Sequence, residues 1–504
     1  MTEQVSGLKE TTTKDLSKFF KLERTIHDLS AKPVIGIGIA AIFLSIIWLA
    51  THTLTAGIEN QAFIVAAGVI GGYMAMNIGA NDVANNVGPA FGAKSLTMLG
   101  ALIIAAIFET AGAVLAGGDV VKTISKGIID PSLIPNTKIF MMLMMSALLS
   151  AALWINLATF LGAPVSTTHS IVGGVLGAGI AAAGASVVDW SVMSKIAASW
   201  VISPVLGGIV AAMFLAFVKN RVLYQEDTIA AAKRWVPILV ALMAGVFAAY
   251  LSVKGLKRVW KPEPWMVAVI GAGFFAATFA IVNPLIAKRS EGMENTKKTI
   301  RGLFHIPLIC AAALLSFAHG ANDVANAVGP LAAIVDAAST GAVSAKVGIP
   351  AWVLFVGAAG ITMGLMLFGP KLIRTVGSKI TRMNPMRAFC VALSAAITVI
   401  AASALGLPVS STHIAVGAVF GIGFLREYHS SKGTHMGGYA KKTNRSPPRT
   451  PSKWDLLPSE EKNRRKKLVR RQYLWSIIAA WLITVPLSAL FSAGIYIALK
   501  EFVV

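Results

Sequence analysis

Eleven long apolar runs, each about as long as a bilayer is thick, constrain this chain more than any other feature. They fall at 33–50, 61–79, 96–118, 139–161, 196–218, 237–252, 265–286, 302–317, 352–368, 388–405 and 475–498. A crossing helix needs roughly 20 mostly apolar residues. Two shorter stretches, 170–184 and 414–425, read as half-helices or re-entrant segments. The expectation is an all-α polytopic membrane protein with about 10 to 13 membrane elements. Composition agrees: 13 % of the residues are charged and 55 % hydrophobic, against about 25 % charged in a soluble domain.

The net charge of +22 is unevenly spread. From Arg426 to Arg471 there are 14 Lys and Arg against four acids, Glu427, Asp455, Glu460 and Glu461. The positive-inside rule puts this basic loop, about 427–471, in the cytoplasm. Its Gly, Ser, Pro and Lys content is that of a partly disordered segment. Such a loop faces anionic lipid; no nucleic-acid partner is expected. Residues 1–32 mix both signs and hold no long apolar run. They read as a cytoplasmic extension, with a short surface helix over 16–29, and not as a cleavable signal peptide. An extra first span follows at 33–51. The two cysteines, Cys310 and Cys390, lie in predicted spans, so neither a disulfide framework nor a cysteine metal site is indicated.

The chain repeats itself. "GANDVANNVGP" at Gly79–Pro89 returns as "GANDVANAVGP" at Gly320–Pro330, ten of eleven letters agreeing across 241 residues. "GAPVSTTHSIVGGVLG" from Gly162 matches "GLPVSSTHIAVGAVFG" from Gly406, 244 residues on. "WVISPVLGG" from Trp200 pairs with "WLITVPLSA" from Trp481, the offset growing to 281 because the basic loop is inserted between. Three ordered pairs indicate an internal duplication: one half over 59–218, a connecting segment with two spans over 219–300, and a second half over 301–504. Paired repeats with interrupted helices point to a secondary transporter whose site lies at the repeat interface.

An ionised carboxylate at mid-membrane costs on the order of 2.5–3.5 kcal/mol. Asp82 and Asp323 must therefore face protein, water or a cation. Asn81, Asn85, Asn322 and Asn326 bring amide donors and carbonyl acceptors beside them. Gly79 and Gly88-Pro89 predict a helix break, which exposes hard carbonyl ligands suited to Na⁺. Polar side chains also serve as glue between packed spans, but two symmetric Asn-Asp-x-x-Asn sets favour a site.

The Pro-Val-Ser segments read as helix starts. Ser166, Thr167 and Thr168 would cap a helix beginning near Ser170, and Ser410, Ser411 and Thr412 repeat the arrangement. Free N–H groups at a helix N-terminus, with hydroxyls beside them, bind anions without Lys or Arg. Ser166 and His169 lack the context of a nucleophile elbow, so no enzyme is expected. His169 and His413 are expected to be structural, each donating to a backbone carbonyl. Glu109 is an intramembrane acid without a counterpart in the second half, and is a candidate for the coupling ion or proton. Lys122 and Arg374 follow helix ends and are expected to snorkel to the interface.

The duplicated GANDVAN and PVS(T/S)TH signatures, in this order and spacing, resemble the inorganic phosphate transporter (PiT) family from about residue 59 onward. The resemblance implies inverted repeats, a homodimer, and import of inorganic phosphate across the cytoplasmic membrane with Na⁺ or H⁺. It implies phosphate held between Asn81, Asp82, Asn322 and Asp323 and the hydroxyls Ser166, Thr167, Thr168, Ser410, Ser411 and Thr412. The coupling ion would use Asp82, Asn85, Asp323, Asn326 and Glu109, with Na⁺ on Asp82 and Asp323. Some sodium-coupled members carry a glutamate before the second PVS motif; this chain has Ala392 there. Oxygen-only motifs favour Na⁺ over H⁺. No cofactor is expected. Sulfate transport on the same fold and a passive anion channel are the alternatives.

Overall fold

A computed structural model describes residues 33–255, 262–343, 348–377, 383–431 and 471–503. The basic loop and the N-terminal extension, apart from the ends that join the neighbouring helices, lie outside these residues. The long helices are α1 (Pro33–Leu54), α2 (Gln61–Gly92), α3 (Met98–Ala116), α4 (Thr137–Leu161), α5 (Thr167–Ala183), α6 (Trp190–Val218), α7 (Thr228–Lys254), α8 (Pro264–Arg289), α9 (His305–Asp323), α10 (Ala325–Thr340), α11 (Ala351–Thr375), α12 (Pro385–Ala404), α13 (Ser411–Ser431) and α14 (Arg471–Val503). Among the described residues the sole β feature is an isolated bridge between Ile129 and Val188. Eleven helical stretches are long and apolar enough to cross a membrane, and α5 is a shorter apolar helix.

The elements start and stop where local chemistry dictates. Thr97, Asn136, Asp189, Asp227 and Asn384 each cap a helix by accepting from a first-turn N–H, which satisfies donors that a helix start leaves orphaned. Gly162 after α4 and Gly406 after α12 both adopt positive φ, +74° and +69°. A left-handed residue there ends each helix and turns the chain into the Pro-Val-Ser segment.

The break expected around Gly79 and Gly88-Pro89 does not occur: α2 runs unbroken from Gln61 to Gly92. Its glycines serve packing instead. A Cβ at Gly79 would lie 2.0 Å from the Ile361 carbonyl oxygen, and one at Gly364 would lie 1.8 Å from that of Met76. The second half mirrors this: Gly320 abuts the Glu109 carbonyl and Gly112 that of Phe317, at 2.1 and 2.0 Å. Only here is the helix interrupted, at Val324 between α9 and α10. Small residues let helix backbones approach this closely.

The two halves exchange partners. α5 of the first half packs on α14, with Gly177 against the Ala489 carbonyl. α13 of the second half packs on α6, with Gly421 against the Gly208 carbonyl. α7 and α8 form a separate pair at Gly245 and Gly271. α8 carries exposed apolar residues such as Val269, Phe274 and Ile281, as a lipid-facing helix would.

Candidate functional site

Ser166 is itself the N-cap of α5: its Oγ accepts from the His169 N–H at 3.1 Å. Ser410 Oγ likewise accepts from the His413 N–H at 3.3 Å. The helices therefore begin at Thr167 and Ser411, three residues ahead of the start expected near Ser170. Both N-termini are buried beside the two Asp residues. Each brings roughly half a positive charge to the spot where the acids stand.

The motif asparagines Asn81 and Asn322 hold these starts in place. Asn81 donates to Thr159 Oγ1 at 2.9 Å and to the Ala163 carbonyl at 3.2 Å, and accepts from the Val165 N–H at 3.2 Å. Asn322 donates to Ser403 Oγ at 2.8 Å and to the Leu407 carbonyl at 3.2 Å, and accepts from the Val409 N–H at 3.3 Å. Each side chain thus spends its amide on the loop before a capped helix.

Hydroxyls from both halves surround each acid. Thr167 donates to Asp82 Oδ2 at 3.0 Å and Thr412 to Asp82 Oδ1 at 2.9 Å. Ser411 donates to Asp323 Oδ2 at 2.9 Å, and the Thr168 hydroxyl lies 3.5 Å from Asp323 Oδ1. Asn85 donates to Thr412 at 2.8 Å, and Asn326 donates to Thr167 and Thr168 at 3.2 Å each. The Asn326 Oδ1 is buried with no hydrogen bond, a free hard oxygen of the kind a cation takes.

One side of the cluster breaks the symmetry. His319 Nε2 lies 2.9 Å from Asp323 Oδ2 and 3.7 Å from Asp82 Oδ2, while its Nδ1 lies 3.2 Å from Glu109 Oε2. Asn86 donates to Glu109 Oε1 at 2.8 Å. Glu109, His319 and Asp323 are all 0 % exposed. The places that correspond to Glu109, His319 and Asn86 in the other half hold Ile361, Ile78 and Ala327. Ligand atoms of Asp82, His319 and Asp323 all fall within 4.8 Å of one another.

All the oxygen-bearing residues singled out in the sequence meet here, and Glu109 joins through His319. Sequence comparison between the halves missed His319 and Asn86, which have no polar counterpart. The available signal was a lone ionisable residue one helical turn before Asp323. His169 departs from the expected carbonyl bond: among the described residues neither of its ring nitrogens is hydrogen-bonded. Its ring instead packs against Trp200 at 3.9 Å and edge-on to His413 at 4.6 Å between centroids. Lys122 and Arg374 stand exposed and outside the cluster, Lys122 at 3.9 Å from Asp119.

Residues 78–492 match the family model described as the phosphate transporter family. A relative from Helicobacter pylori (strain J99), provisionally named a phosphate permease, is 44 % identical over 96 % of this chain and 98 % of its own. One from Pyrococcus furiosus, named in the same way, is 40 % identical over 71 % of this chain and 86 % of its own. A solved structure titled the sodium-dependent phosphate transporter is similar at a TM-score of 0.76 with 36 % identity. The match covers 88 % of this chain and all of that one.

Proposed function

This chain belongs to the phosphate transporter family, and from that premise we propose that it is a secondary symporter importing inorganic phosphate with Na⁺ by alternating access. It is a multi-pass integral membrane protein rather than an enzyme. The reading places it in the cytoplasmic membrane as a homodimer of inverted-repeat chains, with the N-terminus and the basic loop inside.

One observation carries the proposal: two buried carboxylates stand at two buried helix N-termini, joined by hydroxyls from both halves. The N-termini and hydroxyls suit a tetrahedral oxyanion. The carboxylates repel one in a low dielectric. A cation between Asp82 and Asp323 reverses that sign, so the anion binds well only in its company. The unpartnered Asn326 oxygen adds a hard ligand for Na⁺. In this scheme Thr167, Thr168, Ser411 and Thr412 turn their hydroxyls from the acids toward phosphate when the cation arrives. Ser166, Ser410, Asn81 and Asn322 keep the helix starts in register.

The His319 contacts favour a second reading, in which H⁺ replaces Na⁺. An imidazole 2.9 Å from Asp323 and 3.2 Å from Glu109 forms a short path on which a proton can be held. Uptake of ³²P-phosphate into proteoliposomes under an imposed Na⁺ or H⁺ gradient, with sulfate as competitor, separates the two and tests the substrate. Uphill uptake on a Na⁺ gradient supports symport; flux that merely equalises phosphate across the membrane refutes it.

A further inference from the structure

A second group of charged side chains gathers far from the paired acids. Arg301 opens the short helical turn leading into α9, Arg387 lies in the first turn of α12, Arg426 lies in the C-terminal part of α13, and Lys219 directly follows α6. α12 packs on both α6 and α13, and the 301–304 turn packs on α12. The four charges consequently act on one another: Arg387 on Lys219, Arg426 and Arg301 on Arg387, and Arg301 on Arg426. All four side chains are half-buried. Arg301 Nε is shut off from solvent and makes no hydrogen bond. Among the described residues no carboxylate lies within ion-pair distance of any of the four.

A positive-inside bias accounts for cations at this end of the bundle, but it accounts only for cations in water. Solvated lysines and arginines spread apart; these are drawn together by four separate elements and partly desolvated against each other. Like charges in such a place destabilise the fold unless an anion stands among them. Three guanidinium forks and an ammonium match the several oxygens of a phosphate group, which arginine binds in pairs of parallel N–H bonds. Asp323 lies roughly 30 Å further along the helical run that starts at Arg301, so the two clusters are separate.

We propose that Lys219, Arg301, Arg387 and Arg426 form a second anion site, built for a phosphate group. The group belongs either to an anionic phospholipid of the adjoining leaflet, for which basic pockets between membrane helices are suited, or to free inorganic phosphate. The site stands whether or not the transport reading does, since it uses none of the same residues.

The test uses the full chain in lipid-free detergent and in Na⁺-free choline chloride, with Asp82 and Asp323 intact, so that the two carboxylates repel phosphate from the site between them. ³²P-phosphate binding is measured in one arm. In the other, retained phosphatidylglycerol is counted by native mass spectrometry against phosphatidylcholine. Saturable binding of either probe that falls about tenfold or more in Arg301→Gln/Arg387→Gln, as expected for losing two charged hydrogen-bond donors, supports the site, and the probe that binds identifies the source. Arg387→Lys, which keeps the charge and loses the fork, guards against misfolding and is expected to bind at an intermediate level. Absence of saturable binding of both probes, or binding unchanged in the double glutamine variant, overturns it.

Discussion

The Thr412 hydroxyl donates to the Asp82 carboxylate at 2.9 Å, so the acid of one half is completed by the helix cap of the other. Thr168 faces Asp323 in the converse sense but at 3.5 Å, with its stronger bond directed to the Val409 carbonyl at 3.0 Å. The site is therefore formed only when both halves are in place.

This inequality predicts unequal mutants. Thr412→Val removes a donor to Asp82 and an acceptor for Asn85, and uptake should fall about tenfold, the equivalent of roughly 1.4 kcal/mol. Thr168→Val should cost less, because its link to the acid is already long. Initial rates of phosphate uptake, normalised to protein in the membrane, decide it; equal losses would show that the difference in distance has no functional weight.

Asn81→Ala should act on stability as well as transport. It strands the buried Val165 N–H and two other bonds of the loop before α5, a loss of about 1–3 kcal/mol for the unsatisfied group alone. Asp82→Asn, in contrast, keeps the shape of the side chain, with an amide oxygen to accept from one of the Thr167 and Thr412 hydroxyls and an NH2 that the other can turn to accept from, and should fold while failing in uptake. Thermal unfolding of the two purified variants distinguishes an anchor from a ligand. An Asn81→Ala protein as stable as the wild type contradicts the anchoring role.

These two residues also mark how far the sequence was legible. The duplicated motifs identified the acids, the hydroxyls and their convergence, because symmetric polar residues inside apolar spans have few other uses. The same symmetry marked Asn81 and Asn322 as ligands but not as anchors of the loops before α5 and α13, since spacing alone does not reveal which way an amide turns. His319 escaped for the opposite reason: its counterpart is Ile78, so comparing the halves could not flag it. The break foreseen near Gly79 failed because a glycine in a membrane helix also serves close packing. Only the Ile361 backbone across the interface, brought there by the tertiary fold, tells the two uses apart.

That packing is itself testable. Gly364→Ala would set a Cβ 1.8 Å from the Met76 carbonyl oxygen, whereas a Cβ at Gly38 meets nothing within 4 Å. Overpacking a tight contact costs about 1–3 kcal/mol or more. Gly364→Ala should lower the yield of monodisperse protein and its unfolding midpoint, while Gly38→Ala stays near wild type. Equal behaviour of the two would mean that the helices separate without penalty.

The unsymmetric group offers another prediction. Glu109→Gln keeps an acceptor for Asn86 but replaces the carboxyl oxygen that faces His319 at 3.2 Å with an amide nitrogen. The variant should fold, transport more slowly, and show a uptake–pH profile different from that of the wild type. Wild-type rate and profile would reduce Glu109 to a space-filling role.

The most direct check on the central claim, that Asp82 and Asp323 make anion binding depend on a cation, is equilibrium binding of ³²P-phosphate to the purified chain in NaCl and in choline chloride over a range of pH. The account predicts tight binding in Na⁺, much weaker binding in choline, and loss of the Na⁺ effect in Asp82→Asn/Asp323→Asn. The same affinity in both salts at every pH would contradict it.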